Sequence, residues 1–143
     1  MEIIIQPNAD AAASLVVELV DQAIRQKPNF TLGFATGRTM EMVYDKLTEK
    51  HEKESLDFSQ CSSFNLDEYI GLAPEDVNSY RYYMNERLFN RINIDLANTY
   101  LPNGVAEDIA AECSVYEQCI KELGGIDLQL LGIGCTGHIG FNE

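Results

Sequence analysis

Short apolar runs alternate along this chain with stretches whose apolar residues recur at helical spacing, and this alternation restricts the fold more than any other feature. Phe30 to Ala35, Cys61 to Leu66 and Ile126 to Leu131 read as buried strands. Ile3-Ile4-Ile5, ended by Pro7, reads as a first strand on β-branched propensity, and Thr99 to Leu101 as a short one. Between them lie apolar stripes. Ala12, Leu15, Val16, Leu19, Val20 and Ala23 follow Asn8, a residue suited to cap a helix. Met40, Val43, Tyr44 and Leu47 form a second stripe, whose polar end from Glu49 to Glu54 reads as a solvated terminus and loop. Tyr80, Tyr83, Met84 and Leu88 follow the capping residue Ser79, and Ile109, Cys113, Tyr116, Ile120 and Leu123 precede Gly124-Gly125. Strands alternating with helices predict a three-layer α/β fold, a mainly parallel, Rossmann-like sheet with helices on both faces. The 143 residues suffice for a single domain, residues 1–143.

In such a sheet, ligands gather beyond the carboxyl ends of the strands. Three strand-end loops therefore compete for the site: residues 36–39, 67–69 and 134–143. The Thr36-Gly37-Arg38-Thr39 turn lies between a strand and a helix N-terminus, where free N–H groups and the helix dipole suit an anion. The alternative is an ordinary strand–helix turn with Thr39 as the cap. Asp67 and Glu68 stand at the next strand end. Asp67 could act as a general base if partly desolvated, or the acids could merely cap and solvate the loop. Glu68 reads equally as a structural partner.

The last loop carries Gly132-Ile133-Gly134-Cys135-Thr136-Gly137-His138, formally a G-x-G-x-x-G stretch. A dinucleotide fingerprint also needs a helix opening within it and an acid about 20 residues later. Gly140 opposes the first, and the sequence holds only six residues after Gly137. No nicotinamide cofactor is expected. Cys135 reads as a bystander thiol rather than a nucleophile. His138, with Glu143 five residues on, makes a candidate His–carboxylate pair for moving protons near neutral pH.

Charge and composition narrow the partners. The formal net charge of −13 opposes phosphate backbones, so nucleic acid is not an expected partner. No apolar run approaches the ~20 residues of a membrane span, and no membrane association is expected. The N-terminus lacks a basic region and a cleavage site, so a cytoplasmic protein is expected. Cys61, Cys113, Cys119 and Cys135 show no zinc spacing, and free thiols are expected.

Taken together, several stretches resemble the glucosamine-6-phosphate deaminase (isomerase) family. They are Gly33 to Thr39, Phe64-Asn65-Leu66-Asp67-Glu68-Tyr69-Ile70-Gly71-Leu72, Ser79-Tyr80, Gly124 to Leu128, and Gly137-His138-Ile139-Gly140-Phe141-Asn142-Glu143. The resemblance covers nearly the whole chain, in order. It implies conversion of glucosamine 6-phosphate and water to fructose 6-phosphate and ammonia in amino-sugar catabolism, without metal or organic cofactor. By that resemblance Thr36, Gly37, Arg38 and Thr39 hold the sugar phosphate. Asp67 matches the base that moves a proton between C2 and C1, His138 the residue assisting ring opening, and Glu143 its partner. Thr136 occupies the relay position beside the histidine, where the family carries Asp or Asn. Arg38 stands in place of a small residue and Met40 in place of a proline. Family members are longer, so the resemblance implies a truncated member with an incomplete sheet, and homo-oligomerisation is expected. The alternatives are a non-catalytic, regulatory sugar-phosphate-binding paralogue and a 6-phosphogluconolactonase.

Overall fold

The computed structural model describes residues 2–142. Its four strands, β1 (Thr31–Phe34), β2 (Ser62–Asn65), β3 (Thr99–Tyr100) and β4 (Leu128–Gln129), form one sheet in the order β3-β2-β1-β4. Every pairing is parallel, with Leu32 beside Ser63 and Leu128, and Phe64 beside Tyr100. The helices are α1 (Ala9–Gln26), α2 (Arg38–Glu54), α3 (Tyr80–Arg87) and α4 (Ile109–Glu122). Two 3₁₀ turns, Phe89–Arg91 and Leu96–Asn98, connect α3 to β3.

The strand period of two sorts the sheet's side chains between its faces. Leu32 and Phe34 point to the face covered by α1, α2 and α3. There Val17, Val20, Val43, Tyr44, Leu47 and Met84 bury almost completely and form the core with them. Burying each of these side chains is worth about 1.5–3 kcal/mol. Phe34 meets Tyr44 edge-on at 5.6 Å. Phe64 points the other way, stacks on Tyr100 at 4.7 Å and meets Tyr116 of α4 edge-on at 5.6 Å. The Tyr116 hydroxyl donates to the backbone oxygens of Asn65 and Tyr100, tying α4 across β2 and β3. Helices thus cover both faces of a parallel sheet, as the alternation predicts. The α4 side is thinly packed, for no α4 residue is buried.

Two local expectations are corrected. Ile3-Ile4-Ile5 forms no strand, and its residues are 74%, 52% and 89% exposed. Propensity supplies no ladder partner, and among the described residues none lies beside this segment. The polar run 49–54 is the last turn and a half of α2 rather than a loop. Glu49–Lys53 and Lys50–Glu54 pairs one helical turn apart support it, and Lys50 also reaches Glu18 of α1 at 2.8 Å. Two helix starts follow the sequence reading. Asn8 accepts from the Ala11 N–H and Ser79 from the Tyr82 N–H.

Candidate active site

The parallel sheet delivers the ends of β1, β2 and β4 to one rim, and the loops leaving them enclose a cleft of ≈ 810 Å³. All three loops singled out in the sequence line this cleft. The β1 loop turns into α2 at Gly37, whose φ of 111° is reached comfortably only by glycine. Gly37, not Thr39, is therefore the N-cap, and it offers no side-chain acceptor to the helix. Among the described residues, no hydrogen bond engages the backbone N–H groups of Gly37, Arg38 or Thr39. Two tyrosines instead hold the carbonyls of this turn. Tyr44 donates to the Ala35 oxygen and Tyr83 to the Gly37 oxygen at 3.0 Å. The outcome is a turn held at two carbonyls that lines the cleft, with Arg38 exposed in it.

Asp67 leaves the end of β2 and lines the cleft half-buried. Burial raises its carboxyl pKa above the usual carboxylate range, and the neighbouring Glu68 adds to the rise. The two acids separate cleanly in role. Glu68 turns away and accepts from the N–H groups of Tyr69, Tyr80 and Arg81 at 2.8, 2.9 and 3.0 Å, which places a carboxylate on the α3 N-terminus. It anchors the loop that presents Asp67. Replacing it, Glu68→Ala, leaves those donors without an acceptor. The expected cost is about 1–2 kcal/mol, read as a lowered denaturation midpoint, with Glu68→Gln falling between.

The β4 loop brings His138 into the same cleft. Its Nδ1 lies 2.7 Å from the hydroxyl of Thr136, an uncharged hydrogen-bond partner. The ring rests against Gly134, where a Cβ would come within 2.2 Å of Cε1, so only glycine admits it. Gly134 N–H also donates to the His138 oxygen and closes the loop on itself. At Gly140 a Cβ would sit 3.2 Å from Asp67 Oδ2, which shows how closely this loop approaches the carboxylate. Cys135 lines the cleft and is exposed, while Cys61 is buried, its thiol pushed up to about 11 by burial. All four cysteines are unpaired. Glu143, expected beside His138, lies outside the described residues.

Sequence reasoning overlooked an aromatic wall. Tyr80 and Tyr83 share one helical stripe with Met84 and Leu88, to which the sequence assigns no part in the site. The latter two are buried, whereas the tyrosines are half-buried and line the cleft. Tyr69 and Phe141 complete the wall, their ring centroids 5.0 Å apart. Tyrosines within a stripe that starts beside a strand-end loop were the available signal, because the first turn of such a helix faces the rim.

With Asp67, His138 and an anion-ready turn around one cleft, the comparisons with known proteins become informative. The family described as glucosamine-6-phosphate isomerases/6-phosphogluconolactonase matches residues 6–140. A protein named glucosamine-6-phosphate deaminase from Geobacillus sp. (strain WCH70) is 49% identical over all 143 residues, which cover 57% of its length. One of the same name from Clostridium beijerinckii is 46% identical, with 59% of its length covered. A solved structure described as a monomeric glucosamine-6-phosphate deaminase superposes with a TM-score of 0.96 at 43% identity, over this whole chain and 59% of that one. The 6-phosphogluconolactonase from Thermotoga maritima shares the fold at a TM-score of 0.77 and 23% identity, over 98% of this chain and 62% of that one. The chain spans a little under three fifths of the curated relatives it matches, and it belongs to the glucosamine-6-phosphate isomerase/6-phosphogluconolactonase family.

Proposed function

We propose that this chain carries the proton-handling half of a glucosamine-6-phosphate deaminase site. The observation that supports the reading most is the half-buried Asp67 lining one cleft with His138 and the open donors of the 36–39 turn. The overall reaction converts glucosamine 6-phosphate and water to fructose 6-phosphate and ammonia. Thr36, the Gly37, Arg38 and Thr39 N–H groups and the Arg38 guanidinium receive the phosphate, where dipole and charge act together. His138 takes and returns the proton that moves when the pyranose ring opens, its Nδ1 steadied by Thr136. Asp67 then removes the C2 proton and delivers it to C1 while a proton passes from the 2-ammonium group to O1, which turns the 2-amino aldose into a 1-hydroxy imine at C2. Water adds to that carbon and ammonia leaves. A carboxylate with a raised pKa suits this shuttle, because it both takes a proton and releases it. Glu143 enters the scheme only through the family resemblance, as the partner of His138.

The chain is read as one α/β domain, with a single core on one side of its sheet. The described helices include none long and apolar enough to cross a membrane. Four unpaired cysteines favour a reducing compartment, which fits a cytoplasmic enzyme. The solved relative described as monomeric lends no support to the expected homo-oligomer.

A second reading, a sugar-phosphate-binding module without turnover, is favoured by Thr136, which supplies no charge to His138. One experiment separates the two. The chain is incubated with glucosamine 6-phosphate while ammonia and fructose 6-phosphate are measured, and binding is followed by calorimetry. Turnover supports the enzyme, binding alone supports the module, and neither overturns both. In either case Arg38→Ala should weaken binding about tenfold, the scale of one charge-assisted hydrogen bond.

A further inference from the structure

Among the described residues, Tyr80 stands where all three strand-end loops meet. Its hydroxyl approaches the Thr36 side chain of the β1 loop, with which it lines the cleft. The same hydroxyl donates to the Tyr69 hydroxyl in the β2 loop at 3.3 Å, and the two rings lie 4.9 Å apart. Its ring stacks on Phe141 of the β4 loop at 5.7 Å and 25°. The residue itself is fixed at the first position of α3, where Ser79 caps the helix and the Tyr80 N–H donates to Glu68. A rigid helix start thus carries a ring and a hydroxyl into the point where the loops meet. Each loop bears a different element of the site: the anion turn, Asp67 and His138.

We propose that Tyr80 is a positioning residue that locks these loops into a single constellation, its hydroxyl joining the first two and its ring holding the third. The role rests on the cleft being the reacting site, but the coupling itself can be seen without substrate. The hydroxyl and the ring make separable predictions. Tyr80→Phe removes the hydroxyl links and keeps the stacking on Phe141, so the 36–39 and 67–69 loops should loosen while 134–142 stays ordered. Tyr80→Leu removes both and should loosen all three. Phe141→Leu should free only the third loop.

The test is ¹⁵N relaxation on the ligand-free chain and its variants, read as backbone order parameters, which lie near 0.85 for rigid backbone and below about 0.6 for flexible backbone. The expected result is that graded pattern, with order parameters in the freed loops falling toward the flexible range. Order parameters in 36–39 and 67–69 that remain at wild-type values in Tyr80→Phe would overturn the proposal, even if Tyr80→Leu fails to fold. Steady-state kinetics with glucosamine 6-phosphate add a second reading. A loop displaced by about 1 Å can cost on the order of 100-fold in rate, so Tyr80→Phe should lower kcat about 10- to 100-fold with KM within about twofold. A rise in KM at unchanged kcat would instead assign Tyr80 to binding and overturn the positioning role. If the wild-type chain shows no turnover, the proposed function fails while the order parameters still decide the coupling.

Discussion

Asp67→Asn should abolish most of the turnover with glucosamine 6-phosphate, by about 10²- to 10⁴-fold, while binding measured by calorimetry stays within about threefold. The amide keeps the shape of the carboxylate, which matters here because Gly140 approaches it so closely that a Cβ there would lie 3.2 Å from Oδ2. It cannot accept the C2 proton. Retained activity would show that another group is the base. A pH profile tests the same assignment by a different route. Burial and the Glu68 charge both raise the Asp67 pKa, and the base works only when ionised. The acidic limb of kcat/KM should therefore lie above the ordinary aspartate value. Glu68→Gln removes the neighbouring charge and should move that limb down. The stability sign is fixed by the same shift. A carboxyl whose pKa is raised on folding penalises the folded state when ionised. The penalty is absent below the unfolded pKa, grows between the unfolded and folded values, and is complete above the folded one. Asp67→Asn removes it, so the variant should gain stability relative to the parent at pH 7 and gain none at pH 3. A residue with higher activity than stability value is what a reacting group looks like.

Much of this site was legible before any coordinates, and for a definable reason. Strand–helix alternation dictates a parallel sheet, and a parallel sheet puts every strand-end loop on one rim. Thr36 to Thr39, Asp67 and His138 could thus be placed together from their positions in the alternation alone. What stayed hidden depends on contacts that spacing does not encode. Asp67 and Glu68 are adjacent acids in the sequence, and only the direction of α3 decides that Glu68 serves three backbone donors while Asp67 faces the cleft. Tyr80 fits an apolar stripe with Met84 and Leu88, yet the rim removes it from the core. Ile3-Ile4-Ile5 has strong strand propensity, yet among the described residues it pairs with no strand. The β3-β2-β1-β4 order likewise follows from how the crossovers pack rather than from any residue in the strands.

The glycines mark the same boundary, and one of them carries the largest expected effect on stability. In the sequence, Gly104 is simply the end of a Pro-Asn-Gly turn. In the structure it is buried against the β2 loop: its oxygen accepts from the Gly71 N–H at 2.7 Å, and a Cβ would lie 2.1 Å from the Tyr69 oxygen and 3.0 Å from that of Leu72. Those neighbours are backbone, so no rotamer change relieves the clash. The loop that carries Asp67 and Tyr69 must move as a body. Gly104→Ala should therefore cost about 3 kcal/mol, the upper part of the range for overpacking. In a domain of this size that is a fall of roughly 6–12 °C in Tm by scanning calorimetry. Because the displaced segment includes Tyr69, the variant should also lose turnover at temperatures where it is still folded. Gly132→Ala is the matched control, since its Cβ would meet only Met40 Cε at an ordinary 3.7 Å. That change should leave stability within about 0.5 kcal/mol. A Gly104→Ala protein that melts with the parent would mean that the 102–104 turn does not press on the Tyr69 backbone, and that Asp67 is held in place by Glu68 and α3 alone.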